Sequence, residues 1–393
     1  METKIDKMDN FGRGISYHNG KICFVKGAYP GDEVSYQIDL EKKKYCDASV
    51  SNIIKRSQDR IDSMCCYSSN CGGCCFQEYD FIKENEFKER KVYDLVHREL
   101  GINDVGKIVF SNPLYYRNKI ILHGNNNNLG FYMNKSHDII KINNCIICNN
   151  RINKIIPILN SFSDIDEVLI RTSNDLTHML IDIKGEGDFN NLLEYCDVLI
   201  VNGELFSKTS FIFTNIGDVK YRLSSESFFQ INCDLTKLLY DKVLEYVKKI
   251  KPDTVLDLYC GTGSIGIYVA KYCNNIVGVD YNRSNIEDAI YNASLNKVSN
   301  ARFICDRVEN VIDKIKVFDL MIVDPPRSGL DNHTRDIILN SKSKYIIYVS
   351  CDPITLVRDL KILKNKYNII EITPFNMFPR TYHCESIVVL ERK

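Results

Sequence analysis

The sequence lacks an excess of charge of either sign and lacks any long apolar run. Lys plus Arg and Asp plus Glu each number 51 in 393 residues, so the net charge is zero. No overall positive field attracts nucleic acid, and any such affinity must come from local patches. No apolar run reaches the roughly 18 residues of a membrane-spanning helix. The charged start METKIDKMDNFGRG also lacks the apolar core of a signal peptide, so we expect a cytoplasmic protein that binds no membrane.

Internal repeats are also absent, and the character of the chain instead changes along its length. Residues 1–60 alternate short apolar runs with turns, which predicts a small β-barrel. Residues 61–215 open with a cysteine cluster and a helix at about 78–100, and then become rich in strands. Residues 216–393 alternate strands with helical patterns, as βαβ units with a mainly parallel sheet do. We therefore expect an α/β protein of three domains, with the helix able to pack on the third.

A glycine-rich turn follows a short apolar strand in DTVLDLYCGTGSIGIYVAKYC. Gly261, Gly263 and Gly266 match the spacing G-x-G-x-x-G. Such a turn can seat a dinucleotide pyrophosphate on the next helix, which would favour an NAD-dependent oxidoreductase. The motif alone is weak, because a tight strand-to-helix connection has the same pattern.

Acidic residues at the ends of successive strands favour a nucleoside cofactor without phosphates instead. Asp257 lies just before the turn, Asp280 ends the next strand, and Asp324 precedes two prolines at the end of a later strand. Asp280 lies near the offset of about 20 residues at which a carboxylate binds ribose hydroxyls. This pattern resembles S-adenosylmethionine-dependent methyltransferases, in which an acidic residue before Pro-Pro marks the active-site strand.

A thiol and a carboxylate are predicted beside this cofactor site. Cys351 ends a strand in YIIYVSCDP, and Glu385 follows His383 just before a final apolar strand. The carboxyl ends of parallel strands share one edge of a sheet. Carbon 5 of uracil accepts a methyl group only after a thiolate has added to carbon 6, and a base must then remove the carbon 5 proton. Cys351 and Glu385 suit these two roles, although a strand-end Cys is also ordinary core filler.

Five motifs together resemble the RNA uracil-5-methyltransferase family. They occur in that family's order: SSESFFQIN, LDLYCGTGSIG, DPPRSGL, YVSCDPITLVRDL and MFPRTYHCESIVVL. The resemblance implies a Rossmann-like class I methyltransferase domain, with Cys351 as nucleophile and Glu385 as proton acceptor. It also implies four residues that bind S-adenosylmethionine, namely Gln230, Tyr259, Asp280 and Asp324. The family more usually has Glu at the position of Asp280 and often Asn at that of Asp352.

The N-terminal stretch GRGISYHNGKICFVKGAYPGDEVSYQI is similar to the TRAM domain, a small β-barrel that holds RNA in part of this family. A barrel with basic residues can follow a phosphate backbone, although a solvated basic face looks the same. Six basic residues of this region are candidates for such contacts: Arg13, Lys42, Lys43, Lys44, Lys55 and Arg56. The later stretch YYRNKIILHG, with Arg117 and Lys119, suits either an unstacked RNA strand or a strand with one wet face.

Sixteen cysteines in so long a chain indicate reduced thiols, metal or catalysis rather than disulfides. The pairs Cys71-Cys74 and Cys145-Cys148 allow a tetrahedral zinc site. The spacing of Cys65, Cys71, Cys74 and the distant Cys145 is similar to the form of the family that binds a [4Fe–4S] cluster, and we favour this second set. Three neighbours can replace one of its ligands: Cys66, Cys75 and Cys148.

The resemblance leaves the RNA substrate open. A TRAM domain together with a cluster favours large-subunit (23S) ribosomal RNA, and the T-loop uridine of transfer RNA is the alternative. An RNA-binding or ribosome-assembly protein without activity is a hypothesis of another class, but the presence of both Cys351 and Glu385 argues against it. No obligate protein partner is evident, and we expect a monomer.

Overall fold

The computed structural model describes residues 1–125, 128–134, 136–315 and 318–393, and for Asp313 the backbone alone. A barrel-like sheet of five strands lies at the N-terminus, with strand order β1-β4-β5-β3-β2. Its strands are β1 (Glu2–Lys4), β2 (Gly14–His18), β3 (Lys21–Lys26), β4 (Glu33–Glu41) and β5 (Tyr45–Lys55). Cys23 and Val25 alternate with more exposed neighbours and point into the core, as expected of a half-buried strand. The predicted small all-β unit is thus present as a barrel-like sheet.

A seven-stranded sheet follows, with order β12-β11-β10-β9-β6-β7-β8. Its strands are β6 (Lys119–Asn125), β7 (Asn128–Tyr132), β8 (Ile139–Lys141), β9 (Ile165–Thr172), β10 (Met179–Gly185), β11 (Val198–Val201) and β12 (Glu204–Leu205). The helix α2 (Asn150–Leu159) buries Ile152, Ile155 and Ile156 against it, because these residues share one helical face. A short 3₁₀ turn spans Asn190–Glu194.

The last part of the chain begins with a hairpin and continues as a second seven-stranded sheet, with order β17-β16-β15-β18-β19-β21-β20. The hairpin consists of β13 (Phe211–Ile216) and β14 (Val219–Ser224). The sheet consists of β15 (Thr254–Leu258), β16 (Asn275–Asp280), β17 (Ala301–Cys305), β18 (Leu320–Val323), β19 (Tyr345–Ser350), β20 (Tyr367–Phe375) and β21 (Glu385–Arg392). Strands β15 to β19 are parallel, and β21 runs antiparallel to β19 and β20. The predicted α/β class is confirmed.

Helices cover both faces of this sheet. They are α1 (Phe81–Leu100), α3 (Cys233–Ile250), α4 (Ser264–Val269), α5 (Arg283–Leu295), α6 (Val308–Val311), α7 (Asn332–Asn340) and α8 (Pro353–Leu363), with 3₁₀ turns at Ala270–Tyr272 and Ile312–Lys314. Asp80 caps the start of α1 by accepting from two backbone N–H groups. Within the described ranges, no helix has both the length and the hydropathy to cross a bilayer.

The sheet is buried on both faces, as a parallel sheet must be. On one face Val255 and Ile347 pack with residues of α3 such as Val243. On the other face, Val92 and Val96 of α1 join the core of the sheet together with residues of α8. Helix α1, which lies early in the chain, therefore completes a wall of the C-terminal sheet.

Candidate active site

The turn after β15 brings the backbone close to the sheet edge. Gly261 and Gly263 have φ of +53° and +74°, and Tyr259 has φ of +61°. Residues other than Gly rarely adopt this left-handed backbone conformation. A Cβ at Gly266 would lie 2.9 Å from Oδ2 of Asp257. The N–H of Gly266 instead donates to that oxygen at 3.0 Å. The glycines therefore let α4 start directly against β15.

Asp280 supports this turn from the next strand. Its Oδ2 accepts from the N–H of Gly261 at 3.0 Å, and its Oδ1 accepts from the N–H of Asn282 and the side chain of Asn285. Each carboxylate oxygen has a second lone pair, so the side chain can still accept from a ligand hydroxyl. The residue placed by sequence at the ribose offset thus lies beside the glycine-rich turn.

A narrow cavity opens at this edge. Three of the four residues predicted to bind the cofactor line it, namely Gln230, Tyr259 and Asp324. Asp257 and Thr262 line it too, and within the described part of the chain Oδ1 of Asp257 and Oγ1 of Thr262 are buried without a hydrogen-bond partner. Buried polar atoms are normally paired, so these two fit a polar ligand. Sequence analysis noted Asp257 but did not assign it a role.

The strand register brings Cys351 and Glu385 together. Ser350 at the end of β19 pairs with Ser386 near the start of β21, and the next residues outward are Cys351 and Glu385. Asp324 follows β18, the other neighbour of β19. Glu385 is 2% exposed and Cys351 is half-buried. The thiol and the two carboxyl groups predicted from separate motifs therefore share one edge.

These groups perturb one another. Burial raises the pKa of Cys351 to about 12, the negative charges of Glu385 and Asp324 add to the rise, and the positive charge of Arg327 opposes it. Burial and the nearby Asp324 raise the pKa of Glu385 well above its ordinary value, and burial raises the pKa of Asp324 to about 7. Two neighbouring carboxyl groups, one buried and one half-buried, do not both ionise easily at neutral pH, so the pair can hold a proton.

His383 and Arg327 lie close in sequence to the two carboxyl groups, since His383 is two residues before Glu385 and Arg327 is three residues after Asp324. Burial, followed by the charges of Arg327, Lys91 and Lys88, lowers the pKa of His383 to about 4, so the ring is neutral at physiological pH. Arg327 is exposed. Across the described ranges its guanidinium has no recorded hydrogen bond or ion pair, which leaves it available to an anionic ligand.

Comparison with known proteins bears on the family. A family model described as tRNA (Uracil-5-)-methyltransferase matches residues 210–393. An uncharacterized RNA methyltransferase of Clostridium acetobutylicum is 32% identical and aligns with 100% of this chain and 96% of its own length. One of Caldanaerobacter subterraneus subsp. tengcongensis is 30% identical over 100% of this chain and 98% of its own length.

A solved structure extends the likeness to the fold. The Pyrococcus abyssi tRNA (uracil-54, C5)-methyltransferase in complex with S-adenosyl-L-homocysteine is 28% identical, with a TM-score of 0.83 over 99% of this chain and 100% of that chain. The chain belongs to the RNA uracil-5-methyltransferase family. S-adenosylmethionine as cofactor and RNA as substrate class are confirmed, and the NAD-dependent oxidoreductase hypothesis is wrong.

In this methyltransferase, α1 and the cysteine-rich segment hold the loop that leads to Glu385. Nζ of Lys88 donates to Glu84 at 2.9 Å and to Oδ1 of Asn376 at 2.5 Å, and Lys88 and Glu84 are fully buried. Nη1 of Arg380 donates to the carbonyls of Phe76 and Tyr79, and the N–H of Phe76 donates to the carbonyl of Arg380. Sequence analysis missed these residues, because Glu and Lys four apart on a helix normally indicate a solvated face.

The four predicted cluster cysteines line one cavity of about 60 Å³, together with Cys148. They are Cys65, Cys71, Cys74 and Cys145. Across the described residues, no group of three or more Cys, His, Asp or Glu side chains is arranged to hold a metal ion. Neither the zinc nor the iron–sulfur prediction is thereby confirmed.

Two neighbouring cysteines stand apart from this cavity. Cys66 is exposed, and neither Cys66 nor Cys75 is among the residues lining the cavity. The backbone of Cys75 instead contacts two distant segments, since its carbonyl accepts from the hydroxyl of Tyr29 and its N–H donates to the carbonyl of Arg380. These positions favour neither Cys66 nor Cys75 as a replacement ligand.

The basic residues of the barrel-like sheet divide into two groups. Arg13 pairs with Asp9 and Asp47 at 2.6 and 2.8 Å. Lys55 and Arg56 also face carboxylates, in Glu33 and Asp62 respectively. The turn between β4 and β5 leaves three lysines exposed and, over the described stretches, without a recorded ion pair: Lys42, Lys43 and Lys44. The positive face predicted over six residues is therefore concentrated at this turn.

In the stretch YYRNK, the exposed Tyr115 and the half-buried Arg117 and Lys119 alternate with buried residues, as expected of a strand with one wet face. Tyr116 is buried, and its hydroxyl donates to the carbonyl of Pro379. Arg117 lines the cysteine cavity. Burial, with the charges of Arg171 and Arg117, lowers the pKa of Lys119 to about 8. Tyrosine and arginine in an alternating strand do not reveal which face turns inward, so only the packing of this segment shows it.

Proposed function

We propose that this methyltransferase transfers the methyl group of S-adenosylmethionine to carbon 5 of a specific RNA uridine, through a covalent bond between Cys351 and carbon 6. The observation that carries the proposal is the register of β19 and β21. It places a thiol and a buried carboxyl group at adjacent positions beside the cofactor cavity. The two groups are those that the reaction requires, one as nucleophile and one as base.

The cofactor supplies an electrophilic methyl group on a sulfonium, and four residues are proposed to hold it: Gln230, Tyr259, Asp280 and Asp324. Asp280 accepts from the ribose, since it already orders the turn that approaches the cofactor. Asp257 and Thr262 add the two unpaired buried oxygens of the cavity. Their hydrogen bonds to the cofactor would remove a cost of about 1–3 kcal/mol for each unsatisfied group.

The first step is addition of Cys351 to carbon 6 of the uracil. The thiol proton passes through the Asp324–Glu385 pair to solvent, which leaves Glu385 ionised for the second step, and the sulfur forms a bond to carbon 6. The electrons of the carbon 5–carbon 6 double bond move toward carbon 4 and its oxygen, giving an enolate. Arg327 and the N-terminus of α8, which begins two residues after Cys351, both favour the thiolate. Carbon 5 of the enolate would then form a bond to the methyl carbon as the sulfonium–methyl bond breaks, and S-adenosylhomocysteine would be the leaving group.

The second step re-forms the double bond of the uracil and releases the enzyme from the product. Glu385 removes the proton from carbon 5, the electrons of that C–H bond re-form the double bond, and the sulfur of Cys351 leaves carbon 6. Burial holds Glu385 away from water and raises its proton affinity, which suits a group that must take a proton from carbon. The reaction needs no oxidant or reductant.

We propose 23S ribosomal RNA as the substrate, since the barrel-like sheet and the cysteine cavity agree with the TRAM-domain and cluster-containing form of the family. Transfer RNA is the second candidate. It is favoured by the 28% identity and full-length fold match to the Pyrococcus abyssi protein, whose name gives tRNA uracil-54 as its target.

We further propose that Cys65, Cys71, Cys74 and Cys145 hold a [4Fe–4S] cluster. In such a cluster each iron takes one thiolate, so the four sulfurs surround a volume rather than converge on one ion, and all four line a single cavity. Arg117 lines the same cavity and provides a positive charge beside the thiolates. The cluster would order the segment whose Cys75 and Phe76 bind Arg380, and it has no part in methyl transfer.

The domain boundaries near residues 60 and 215 are likewise proposals. The barrel-like sheet ends at Lys55, and the hairpin of β13 and β14 spans the second boundary. We also propose a monomer. A cytoplasmic location agrees with sixteen cysteines that are all free, because a reducing compartment keeps thiols unpaired.

Transfer of labelled methyl from S-adenosylmethionine tests the proposal, with anaerobically purified protein and unmodified 23S and transfer RNA supplied separately. Label should appear as 5-methyluridine in one RNA and be lost in Cys351→Ala. The matched control is Cys273→Ala, which should retain activity. Cys273 is also a free thiol, but it lies just before the start of β16, at the end of that strand away from Asp280. Label in Cys351→Ala at the wild-type rate would refute the thiol mechanism. No label in either RNA, with S-adenosylmethionine bound, would instead favour an RNA-binding role.

A further inference from the structure

A continuous row of aromatic rings joins the barrel-like sheet to the loop before Glu385. We call it the aromatic row, and it consists of Tyr45, Phe24, Phe11, Tyr382 and His383, with the guanidinium of Arg13 between Phe24 and Phe11. The ring centroids of Tyr45 and Phe24 are 5.9 Å apart. Arg13 lies 4.3 Å from the centroid of Phe24 and 5.5 Å from that of Phe11.

The same row crosses to the catalytic sheet through one contact. The rings of Phe11 and Tyr382 meet edge to face with centroids 5.4 Å apart, and Tyr382 lies 4.2 Å from His383. His383 is two residues before Glu385, and both His383 and Cys351 sense the charge of Arg327. The row therefore ends two residues from the proposed base, Glu385.

The row is not a hydrophobic core. Phe11 is 45% exposed and Tyr45 is 36% exposed, and neither belongs to a hydrophobic cluster formed by the described residues. Ordinary packing of two domains would bury large rings rather than leave them half in solvent. The exposed ring area indicates a ligand with flat apolar faces.

Positive charge lies at both ends of the row. Lys42, Lys43 and Lys44 immediately precede Tyr45 and are exposed, and Arg327 is exposed at the other end. Aromatic rings between unpaired cations are the arrangement that proteins use for single-stranded nucleic acid, where bases stack and phosphates meet the cations. His383 is neutral at physiological pH, which suits a stacking role better than a phosphate contact.

We propose that the aromatic row binds the single-stranded RNA that flanks the target uridine, with an unpaired base stacked on the exposed ring of Phe11, which Tyr382 supports from its edge-to-face contact. The inference rests on the proposed function. It adds that the RNA substrate is single-stranded for several nucleotides beside the target uridine. A target uridine must leave its stack to reach Cys351, and a flanking strand already held on the row lowers the cost of that movement. Base stacking is tolerant of sequence, so the row distinguishes single-stranded from paired RNA rather than one sequence from another.

Equilibrium binding of a fluorescent oligoadenylate RNA with one central uridine tests the proposal, with S-adenosylhomocysteine present so that no methyl is transferred. Phe11→Leu should weaken binding of the single strand about tenfold, equal to about 1.4 kcal/mol, and Phe11→Tyr should restore it. The same strand annealed to its complement should bind Phe11→Leu and wild type alike. Changing Lys42, Lys43 and Lys44 together to Gln should reduce the number of ions released on binding, measured from the slope of log affinity against log salt concentration, by about two.

The matched control is Tyr272→Leu. Tyr272 is 44% exposed and contacts Lys248, but it lies before β16, at the edge of the sheet away from Asp280, so its loss should leave binding unchanged. Unchanged affinity for S-adenosylhomocysteine and unchanged Tm in Phe11→Leu would show that folding is intact. Wild-type affinity of Phe11→Leu for the single strand, or equal weakening toward strand and duplex, would overturn the proposal. If wild type methylates RNA and Phe11→Leu has the same KM for RNA, the proposed role of the aromatic row is refuted and the proposed function stands. If wild type methylates no RNA, the proposed function itself is refuted.

Discussion

Glu385 lies across from Cys351 on the neighbouring antiparallel strand, one position beyond the pair formed by Ser350 and Ser386. The proximity has an electrostatic consequence, since the charge of Glu385 is, after burial, the largest cause of the raised pKa of Cys351. A base held one strand away from a nucleophile can reach the same uracil ring from a different side. This relationship leads to the first prediction.

Glu385→Gln should separate addition from elimination. The amide keeps the volume of the side chain but cannot take the carbon 5 proton, so turnover should fall about 10²- to 10⁴-fold. With Asp324 still able to accept the thiol proton, a covalent protein–RNA complex should accumulate and survive denaturing electrophoresis. The complex should be absent when Cys351→Ala is added. Loss of both turnover and complex would mean that Glu385 acts at the addition step.

The single-turnover rate should rise with pH from about pH 6 to about pH 9 without a fall on the alkaline side. The reactive forms are a thiolate and a carboxylate, and both are deprotonated. Cys351 has its pKa raised to about 12, so its thiolate fraction grows throughout this range, and Asp324, with its pKa raised to about 7, loses its proton within it. Arg327→Gln removes a charge that favours the thiolate and should move the profile to higher pH. A bell-shaped profile would contradict this assignment.

Asp257→Asn should stabilise the cofactor-free protein more as pH rises. Burial raises the pKa of Asp257 from 3.8 to about 7, so between these values the folded state binds more protons than the unfolded state, and stability falls with increasing pH. Asn does not titrate and removes this contribution. The difference in Tm from wild type should therefore grow between about pH 4 and about pH 7 and then level off. A constant difference across that range would show that Asp257 is ionised in the fold.

Lys88→Met should destabilise the protein by about 3–5 kcal/mol, because it removes the 2.9 Å ion pair of the buried Glu84 and leaves only the 3.8 Å contact with Arg380. Adding Glu84→Gln to this variant should recover much of the loss. Urea unfolding measures both changes. Lys83→Met, in an exposed pair with Glu86 on the same helix, should cost less than about 1 kcal/mol. Equal losses of stability for Lys83→Met and Lys88→Met would mean that burial of the Lys88–Glu84 pair does not change its contribution to stability.

Cys71→Ala should lower the iron and acid-labile sulfide content of anaerobically purified protein, whereas Cys66→Ala should not. Cys71 lines the cysteine cavity and Cys66 is exposed outside it. Metal and sulfide analysis measures this without reference to activity. Equal metal content in the two variants would remove Cys71 from the ligand set, and stoichiometric zinc without sulfide would replace the cluster by a zinc site.

Most of the candidate site follows from local sequence. The Gly261, Gly263 and Gly266 spacing predicts a tight strand-to-helix turn because few other residues tolerate its backbone. The Asp280, Asp324 and Cys351 motifs each end an apolar run, and strand ends in a parallel sheet share an edge. Short-range patterns of this kind are properties of a few consecutive residues.

Other features required the tertiary structure. Lys88 binds Asn376 across 288 positions of sequence, and Phe11 meets Tyr382 across the barrel-like sheet and the catalytic sheet. Sequence left open whether Arg13 meets solvent or a phosphate and which tyrosine of YYRNK is exposed, whereas packing pairs Arg13 with Asp9, buries Tyr116 and leaves Tyr115 exposed. The sequence by itself determined which chemical groups are present and which strand ends carry them. Only the tertiary structure decided which charges are paired and which rings stay exposed, because burial and long-range contact depend on how distant elements pack.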